Sequence, residues 1–546
     1  MNYSAEIKKF FKGEVFSDGK MLGAMSVDAS IFKVKPSLVV APVDVEDLKK
    51  LVVFVSEKAG DGEKVSLTAR SAGTDMSGGP LSESIVVNFL PHFDKIISTS
   101  ETSATAQPGV YYRNFEKETL KKGVLLPSYP ASRDLCTIGG IVANNSGGEK
   151  TLIYGKTEKY VQGLKVVLAD GNEYEIKPLN NAELEVAKAR KDFLGYVYRK
   201  MFTLIDSNYD VIASAKPSVS KNSAGYYLWN VYDKVKGVFD LTKLFVGSQG
   251  TLGLITEATL SLVKPKPFSS MLIIFLPSLD PLAEITQKIL KFKPESFESF
   301  DDHTFKVAMK FFPAIVKKLN SNLIKLAFQF FPEFWMVVTG GVPKLILIAE
   351  FTADTRDQAS RLARQAQIAV SHLGLKTKIA KDEAETKKYW TFRRESFNLL
   401  RQHMKNLRTA PFIDDFAVRP EFLPAFLPKL EEILSSYKIT YTVAGHVGDG
   451  NFHIIPLMDL KKPRSVEIIK ELSDKVYKLV TDFHGSITGE HNDGLIRTSY
   501  LPMMYSPEII KLFEETKTIF DPLGIFNPGK KVIADREYAW EHLDRS

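Results

Sequence analysis

Apolar positions along the chain follow two different periods. Val39-Val40-Ala41 is a continuous apolar run and predicts a strand, while Leu48, Leu51, Val52 and Val55 recur at i, i+3, i+4 and i+7 between Asp44 and Gly60. That spacing gives a helix one apolar face, with Asp44 as its cap and Gly60 as its stop. Apolar runs at 65–69, 85–87 and 255–262 predict further strands. The runs 161–168 and 173–176 flank Asp170-Gly171 and predict a hairpin. Beyond Pro265 and Pro267 the pattern changes: 271–276 and 345–350 read as strands of a second sheet, followed by helical stretches at 281–292 and 354–373. A strand with an Asp-Gly turn falls at 441–456, and a helix from 506 runs into the turn-rich stretch ending at Lys531. The boundaries expected are therefore 1–266, 267–505 and 506–546.

Composition narrows the class. A chain of 546 residues holds more than one folded unit, and 44% hydrophobic with 25% charged residues suits a large buried core. One cysteine, Cys136, excludes an internal disulfide framework, a cysteine zinc site and an iron–sulfur cluster held by this chain. The net charge of +7 comes without a long basic run, so no nucleic-acid partner is expected. Residues 1–15 mix charges with aromatics and lack a signal-peptide core, and no uncharged run reaches the roughly 18 residues of a spanning helix. The expectation is a cytoplasmic protein. One insertion, 303–343, adds a qualification. It carries Lys306, Lys310, Lys317, Lys318 and Lys325 among Phe305, Phe311, Phe312 and Phe328, with no acid from 303 to 332. Such a basic, aromatic, amphipathic stretch suits a peripheral contact with the inner face of a membrane, or equally a helix pair packed on the second domain or on a partner.

Three small-residue loops carry candidate chemistry: 70–79, 137–148 and 247–253. Successive backbone N–H groups without Cβ obstruction can cradle a polyanion, although glycines also make plain tight turns. Neither standard nucleotide motif is present. No glycine precedes Lys-Ser or Lys-Thr at P-loop spacing, and the 247–253 loop leads into a strand pattern where a Rossmann loop needs a helix.

Four of the nine histidines, His446, His453, His484 and His491, lie between 446 and 491. A two-residue turn at Asp449-Gly450 would set His446 directly opposite His453, with Cβ atoms roughly 5 Å apart. Two such imidazoles suit one metal ion, or a hydrogen-bonded structural pair. Glu490 and His491, adjacent between Gly489 and Gly494, offer a further ligand.

In combination these loops, with Asn527-Pro528-Gly529-Lys530, resemble the FAD-linked oxidases of the vanillyl-alcohol-oxidase type, and within them the D-2-hydroxyacid dehydrogenases such as D-lactate dehydrogenase and the glycolate oxidase FAD subunit. The likeness runs over about 36–531, the Lys-rich insertion excepted. It implies an α+β protein: a PCMH-type FAD-binding domain, an α/β cap domain with an antiparallel sheet, and a C-terminal segment returning to the flavin. It also implies noncovalent FAD on Arg70, Ser71, Ala72, Gly73, Thr74, Asp75, Ser77 and Gly78, with Ser132, Thr137, Gly140, Asn145, Gly250, Ile255 and Asn527 completing the site. His446, His453 and Glu490 are similar to ligands of a divalent metal, zinc being expected, His491 to the general base, and Arg393 to the arginine that grips the substrate carboxylate; as a residue-level alternative, Arg393 is a surface helix arginine. The implied reaction oxidises a D-2-hydroxy acid, D-lactate-like or glycolate-like, to the 2-oxo acid. Electrons would pass to a separate acceptor: a quinone, an iron–sulfur subunit or an electron-transfer flavoprotein. Three departures stand out. Thr74 lies near where relatives carry a flavin-linking histidine, Gln249 replaces a usual Glu, and Ile455 stands where a polar residue is common, which disfavours a second substrate carboxylate. The rival readings are a non-redox FAD transferase resembling alkylglycerone-phosphate synthase, and a metal-dependent hydrolase whose glycine loops are only turns.

Overall fold

The computed structural model describes residues 3–302, 343–403 and 407–546, the side chains of 395–403 excepted. The amphipathic insertion expected at 303–343 falls outside them, but for Pro343. Among the described residues the strands up to Ser261 and those from Phe268 form separate sheets.

The first sheet runs Glu14–Phe16, Leu38–Ala41, Ile85–Asn88, Leu67–Arg70, and its last three strands are parallel. Parallel strands are covered on both faces, which is why Leu38–Ala41 and Ile85–Asn88 read as unbroken apolar runs. Leu38 and Val40 pack with Leu48, Leu51, Val52 and Val55 of the helix Val45–Gly60, whereas Val39 and Val86 meet Leu22 of the helix Gly19–Met25. The Asp44 carboxylate caps the longer helix by accepting the Asp47 N–H at 3.0 Å.

A five-stranded antiparallel sheet follows, ordered Ile96–Thr99, Ser103–Ala106, Leu254–Ser261, Val161–Val167, Glu173–Ile176. The predicted hairpin is its edge: Val167 faces Glu173 and Leu164 faces Ile176, across a turn with Gly171 at φ +76°.

The eight-stranded antiparallel sheet runs Lys376–Ile379, Phe268–Leu276, Leu345–Ala353, Ser296–Asp301, Thr440–His446, Asn451–Met458 and Arg408–Thr409, with Phe416–Ala417 also paired to Asn451–Met458. Its strand Ser296–Asp301 is buried at every position and was not anticipated from the pattern. Helices Leu282–Leu290 and Arg356–Ala369 pack on this sheet, and one continuous apolar core joins it to the five-stranded sheet.

The chain then returns to the first sheet. After the helix Pro507–Phe520, Leu67 donates its N–H to Ile525 O at 2.7 Å and accepts that of Asn527 at 2.9 Å. Buried Lys517 fixes this return, donating to Thr251 O and Phe526 O at 2.6 Å each and pairing with Asp521. No helix among the described residues is long and apolar enough to cross a membrane.

Candidate functional site

A cavity of 780 Å³ opens between the glycine loops and one face of the eight-stranded sheet. Cofactor and substrate sites span roughly 300–1,000 Å³. Arg70, Ser71, Ala72, Gly73, Thr74, Asp75, Ser132, Thr137, Gly140, Gly250 and Ile255 line one end, and Arg393, His446, His453, Glu490 and His491 line the other.

Four expected cofactor residues stand behind the wall rather than on it. Ser77 donates its hydroxyl to Asp75 at 2.7 Å, beside Gly78 at φ +81°. Asn145, at φ +49°, holds Glu158 through its side-chain amide at 2.7 Å. Asn527 donates to Gly79 O at 2.9 Å and Gln249 O at 2.7 Å, tying two glycine loops to the returning tail. Gln249 uses both ends of its amide, donating to Ser77 Oγ at 3.0 Å and Asp75 Oδ2 at 3.2 Å and accepting the Gly494 N–H at 2.8 Å. A glutamate there would have no donor for Asp75 unless protonated. The cavity wall fits a polar ligand at this end. Thr137 Oγ1 and Asn144 Oδ1 are buried there without hydrogen-bond partners, and a Cβ on Gly140 would meet nothing nearer than Ser71 Oγ at 3.4 Å.

At the other end, the register of the histidine hairpin differs from the expected one. His446 pairs with Asn451, and it is Ala444 that faces His453. A single turn of 3₁₀ helix, Val447–Asp449, closed by Gly450 at φ +64°, replaces the two-residue turn. Gly450 is required, since a Cβ there would sit 1.7 Å from Val418 O. The slip is two residues, an even number, so both imidazoles stay on the same face. Their ring centroids lie 5.3 Å apart at 87°.

One nitrogen or oxygen from each of His446, His453 and Glu490 falls within 4.8 Å of the others. Glu298 meets His446 Nδ1 at 2.6 Å and Asp414 meets His453 Nδ1 at 2.9 Å, leaving Nε2 of each ring as the available donor. Carboxylate-backed imidazoles with a third, acidic ligand are the donor set of an open zinc site, so the residues fit a divalent ion. His491 stacks on His453 at 5.1 Å, and its Nδ1 lies 2.8 Å from Asp414 Oδ2, a charge contact whose angle falls short of a hydrogen bond. Asp414, Asp415 and His491 also enter overlapping groupings with the same ligands.

Asp415 builds the turn that carries Glu490 and His491. Held at φ +72°, it accepts the Glu490 N–H at 2.9 Å, the His491 N–H at 2.6 Å and the Thr488 hydroxyl at 2.8 Å. Burial would pull His446 and His491 down, but Glu298 and Asp415 with Asp414, respectively, carry each imidazole up to about 9. Burial would likewise raise Glu490 and Asp414, yet Lys221 with His446 holds the first well below the carboxylate range, and His491 with His453 lowers the second. A divalent ion would oppose the imidazolium forms by its own charge.

Arg393 and Arg394, adjacent on the helix Glu383–His403, have different commitments. Arg394 is bound to Glu149 by both Nε and Nη2, at 3.1 and 2.6 Å, and lies over the Trp390 ring. Arg393 has one ion pair, Nη2 to Glu298 at 3.3 Å, and a buried Nε without a partner. With 15% of its side chain exposed it is no surface arginine. Asp414, Asp415, Glu298 and Lys221 escaped the sequence reading. Only the aspartates left a trace there, as an acidic pair inside the apolar run 410–418.

Residues 36–177 match the FAD binding domain and residues 266–531 the C-terminal domain of FAD linked oxidases. By these two matches the chain carries both domains of the FAD linked oxidases. Among curated relatives it is similar to the D-2-hydroxyglutarate dehydrogenase of Pseudomonas putida, 28% identical over 530 residues covering 95% of this chain and 50% of that protein. It is similar also to the glycolate oxidase subunit GlcD of Bacillus subtilis, 26% identical over 506 residues covering 92% and 90%. The chain thus spans about half the length of the first of these. Among solved structures, the 4-ethylphenol oxidase of Gulosibacter chungangensis superposes with a TM-score of 0.68 at 17% identity, over 98% of each chain. An alkyldihydroxyacetonephosphate synthase gives 0.64 at 15%, over 97% of this chain and 84% of its own. The shared property is the α+β fold with its PCMH-type FAD-binding domain.

Proposed function

We propose that the chain is an FAD-dependent dehydrogenase of D-2-hydroxy acids, and the observation that carries this is Arg393. Its guanidinium, with a free buried Nε, opens into the same cavity as His446, His453, Glu490 and His491. FAD would be held by Arg70, Ser71, Ala72, Gly73, Thr74, Asp75, Ser132, Thr137, Gly140, Gly250 and Ile255, with Ser77, Gly78, Asn145 and Asn527 bracing the loops from behind the wall, and a divalent ion, zinc by its donor set, by His446, His453 and Glu490. When bound, the flavin supplies a hydride acceptor and the ion a Lewis acid beside the substrate hydroxyl. Arg393 takes the substrate carboxylate in its donor fork and fixes the direction in which the C2 hydrogen points. His491 Nε2 accepts the hydroxyl proton, with Asp414 behind Nδ1 orienting the ring. With Thr74 in the flavin loop, FAD stays noncovalent.

The substrate end of the cavity is lined by Thr442, Ala444 and Ile455 beside the two histidines. Ile455 faces Thr442 across the hairpin and offers no charge to a second carboxylate. An unpaired buried carboxylate is costly, which favours D-lactate-like or glycolate-like acids. The names of the relatives favour a dicarboxylate, D-2-hydroxyglutarate, as the second reading. Electrons then leave for a separate acceptor, a quinone, an iron–sulfur subunit or an electron-transfer flavoprotein. Cys136 is alone, and its buried thiol is pushed up to about 12.

The test is anaerobic absorbance of the purified protein with D-lactate, glycolate and D-2-hydroxyglutarate in parallel. Bleaching of a yellow protein supports the dehydrogenase. A yellow protein that none of the acids bleaches points to the transferase reading, a colourless one to the hydrolase. Equal rates with D-lactate and D-2-hydroxyglutarate would refute the substrate preference.

A further inference from the structure

Lys221 is fully buried, and its ammonium group pairs with Glu490 of the candidate metal site. It hydrogen-bonds Glu490 Oε1, lies 3.4 Å from Asp449 Oδ2 and 3.4 Å from Gly148 O. It is absent from the cavity wall, so it stands behind Glu490 rather than beside a bound substrate. The segment that delivers it is fixed to the Glu490 turn, with Ser223 N–H donating to Thr488 O and Gly225 N–H to Asp493 Oδ2, each at 2.9 Å. Glu490 Oε1 is also the oxygen that faces His446 Nε2, at 3.5 Å. The ligand carboxylate therefore has a cation of its own, contributed by the chain.

We propose that Lys221 is the resident cation of this site, satisfying Glu490 when no metal is bound and lowering the affinity of the metal that binds there. Lys221 acts so only if His446, His453 and Glu490 hold a metal, as proposed above. A contact that stabilises the metal-free form more than the metal-bound form weakens binding by linkage. Lys221 does this twice over: a metal must share Glu490 with it, and two cations a few ångströms apart in a buried site repel with little screening.

The flavoprotein is stripped with a chelator and titrated with zinc against a chromophoric competitor, as wild type, Lys221→Met and Lys221→Arg. Lys221→Met should bind zinc at least about 10-fold more tightly, and Lys221→Arg, which keeps the charge, within about 3-fold of wild type. Thermal unfolding of the wild type with and without chelator gives a second readout, independent of whether Lys221→Met folds. The wild-type melting temperature should move by no more than about 2 °C on stripping, because Lys221 already pairs Glu490. Equal or weaker zinc binding by Lys221→Met, or a drop of about 10 °C when the wild type is stripped, overturns the role of Lys221 while leaving the metal site standing. No zinc bound by wild type or variant overturns the metal site and this role with it.

Discussion

Replacing Asp414 by Asn tests whether one carboxylate orients two imidazoles with different tasks. Asp414 is fully buried, with Oδ1 2.9 Å from His453 Nδ1 and Oδ2 2.8 Å from His491 Nδ1. Asparagine keeps the shape but has one oxygen where the carboxylate offers one to the His453 Nδ1 hydrogen bond and one to the His491 Nδ1 charge contact. One imidazole must then face an amide NH₂, and its ring turns or changes tautomer. Loss of a carboxylate behind a metal-bound histidine costs about 10- to 100-fold in metal affinity, and a misplaced base costs about 10²- to 10⁴-fold in rate. Because one acceptor survives, the expected losses sit at the lower end: about 10-fold in zinc affinity and about 10²-fold in flavin reduction at saturating zinc. The fold should survive, since the Asp414 carbonyl still accepts from Arg497 at 2.6 Å and the Asp415 carboxylate still holds the Glu490 turn. FAD should stay bound, because its loops lie at the other end of the cavity. Zinc competition, anaerobic stopped-flow bleaching and the flavin-to-protein ratio are the three readouts. An Asp414→Asn protein with wild-type zinc affinity and wild-type reduction rate would refute the shared orientation.

Arg393→Lys should raise KM for the hydroxy acid about 10- to 100-fold through loss of the fork, whereas Arg394→Lys should leave KM unchanged because Glu149 already engages that guanidinium. Similar steady-state kinetics for both variants would reverse the assignment. His446→Ala should lose zinc and activity together while the protein stays yellow, and a zinc-replete variant would remove His446 from the ligand set. Asp28, half-buried near Asp75, has its carboxyl pushed up by desolvation and by that neighbouring charge from 3.8 to about 7, so the folded state holds that proton more tightly than the unfolded chain. The stabilisation is therefore complete below about pH 4 and is lost as pH rises through 7. Asp28→Asn should melt higher than wild type at pH 8 with the gap closing towards pH 5, and a gap independent of pH would refute it.

Much of this architecture was legible because it rests on local pattern. Two-sided burial makes parallel strands read as unbroken apolar runs, and the Val45–Gly60 helix announces itself by Asp44 and a 3.6-residue period. The metal-site candidates were legible as residue types, since His446, His453 and Glu490 have few structural reasons to cluster. Their register was not, because Asp-Gly serves a two-residue turn and a 3₁₀ turn alike, and the choice was made by the close approach of Val418 O to Gly450. The error did no harm to the site only because a two-residue slip preserves the face of a strand. The groups that complete the site lay outside the reach of pattern for a different reason. Lys221 sits between Ser220 and Asn222 and reads as a solvated loop, yet it is buried by the turn around Glu490, hundreds of residues further on. Arg393 and Arg394 are neighbours of identical type, and it is Glu149, held on a distant loop, that engages Arg394 through both Nε and Nη2 while Arg393 keeps an unpartnered Nε. A buried charge must be paired, so an acidic pair such as Asp414-Asp415 inside an apolar run already implies distant cations. Which cations is decided by the fold, which sets His453 against one oxygen of Asp414 and His491 against the other.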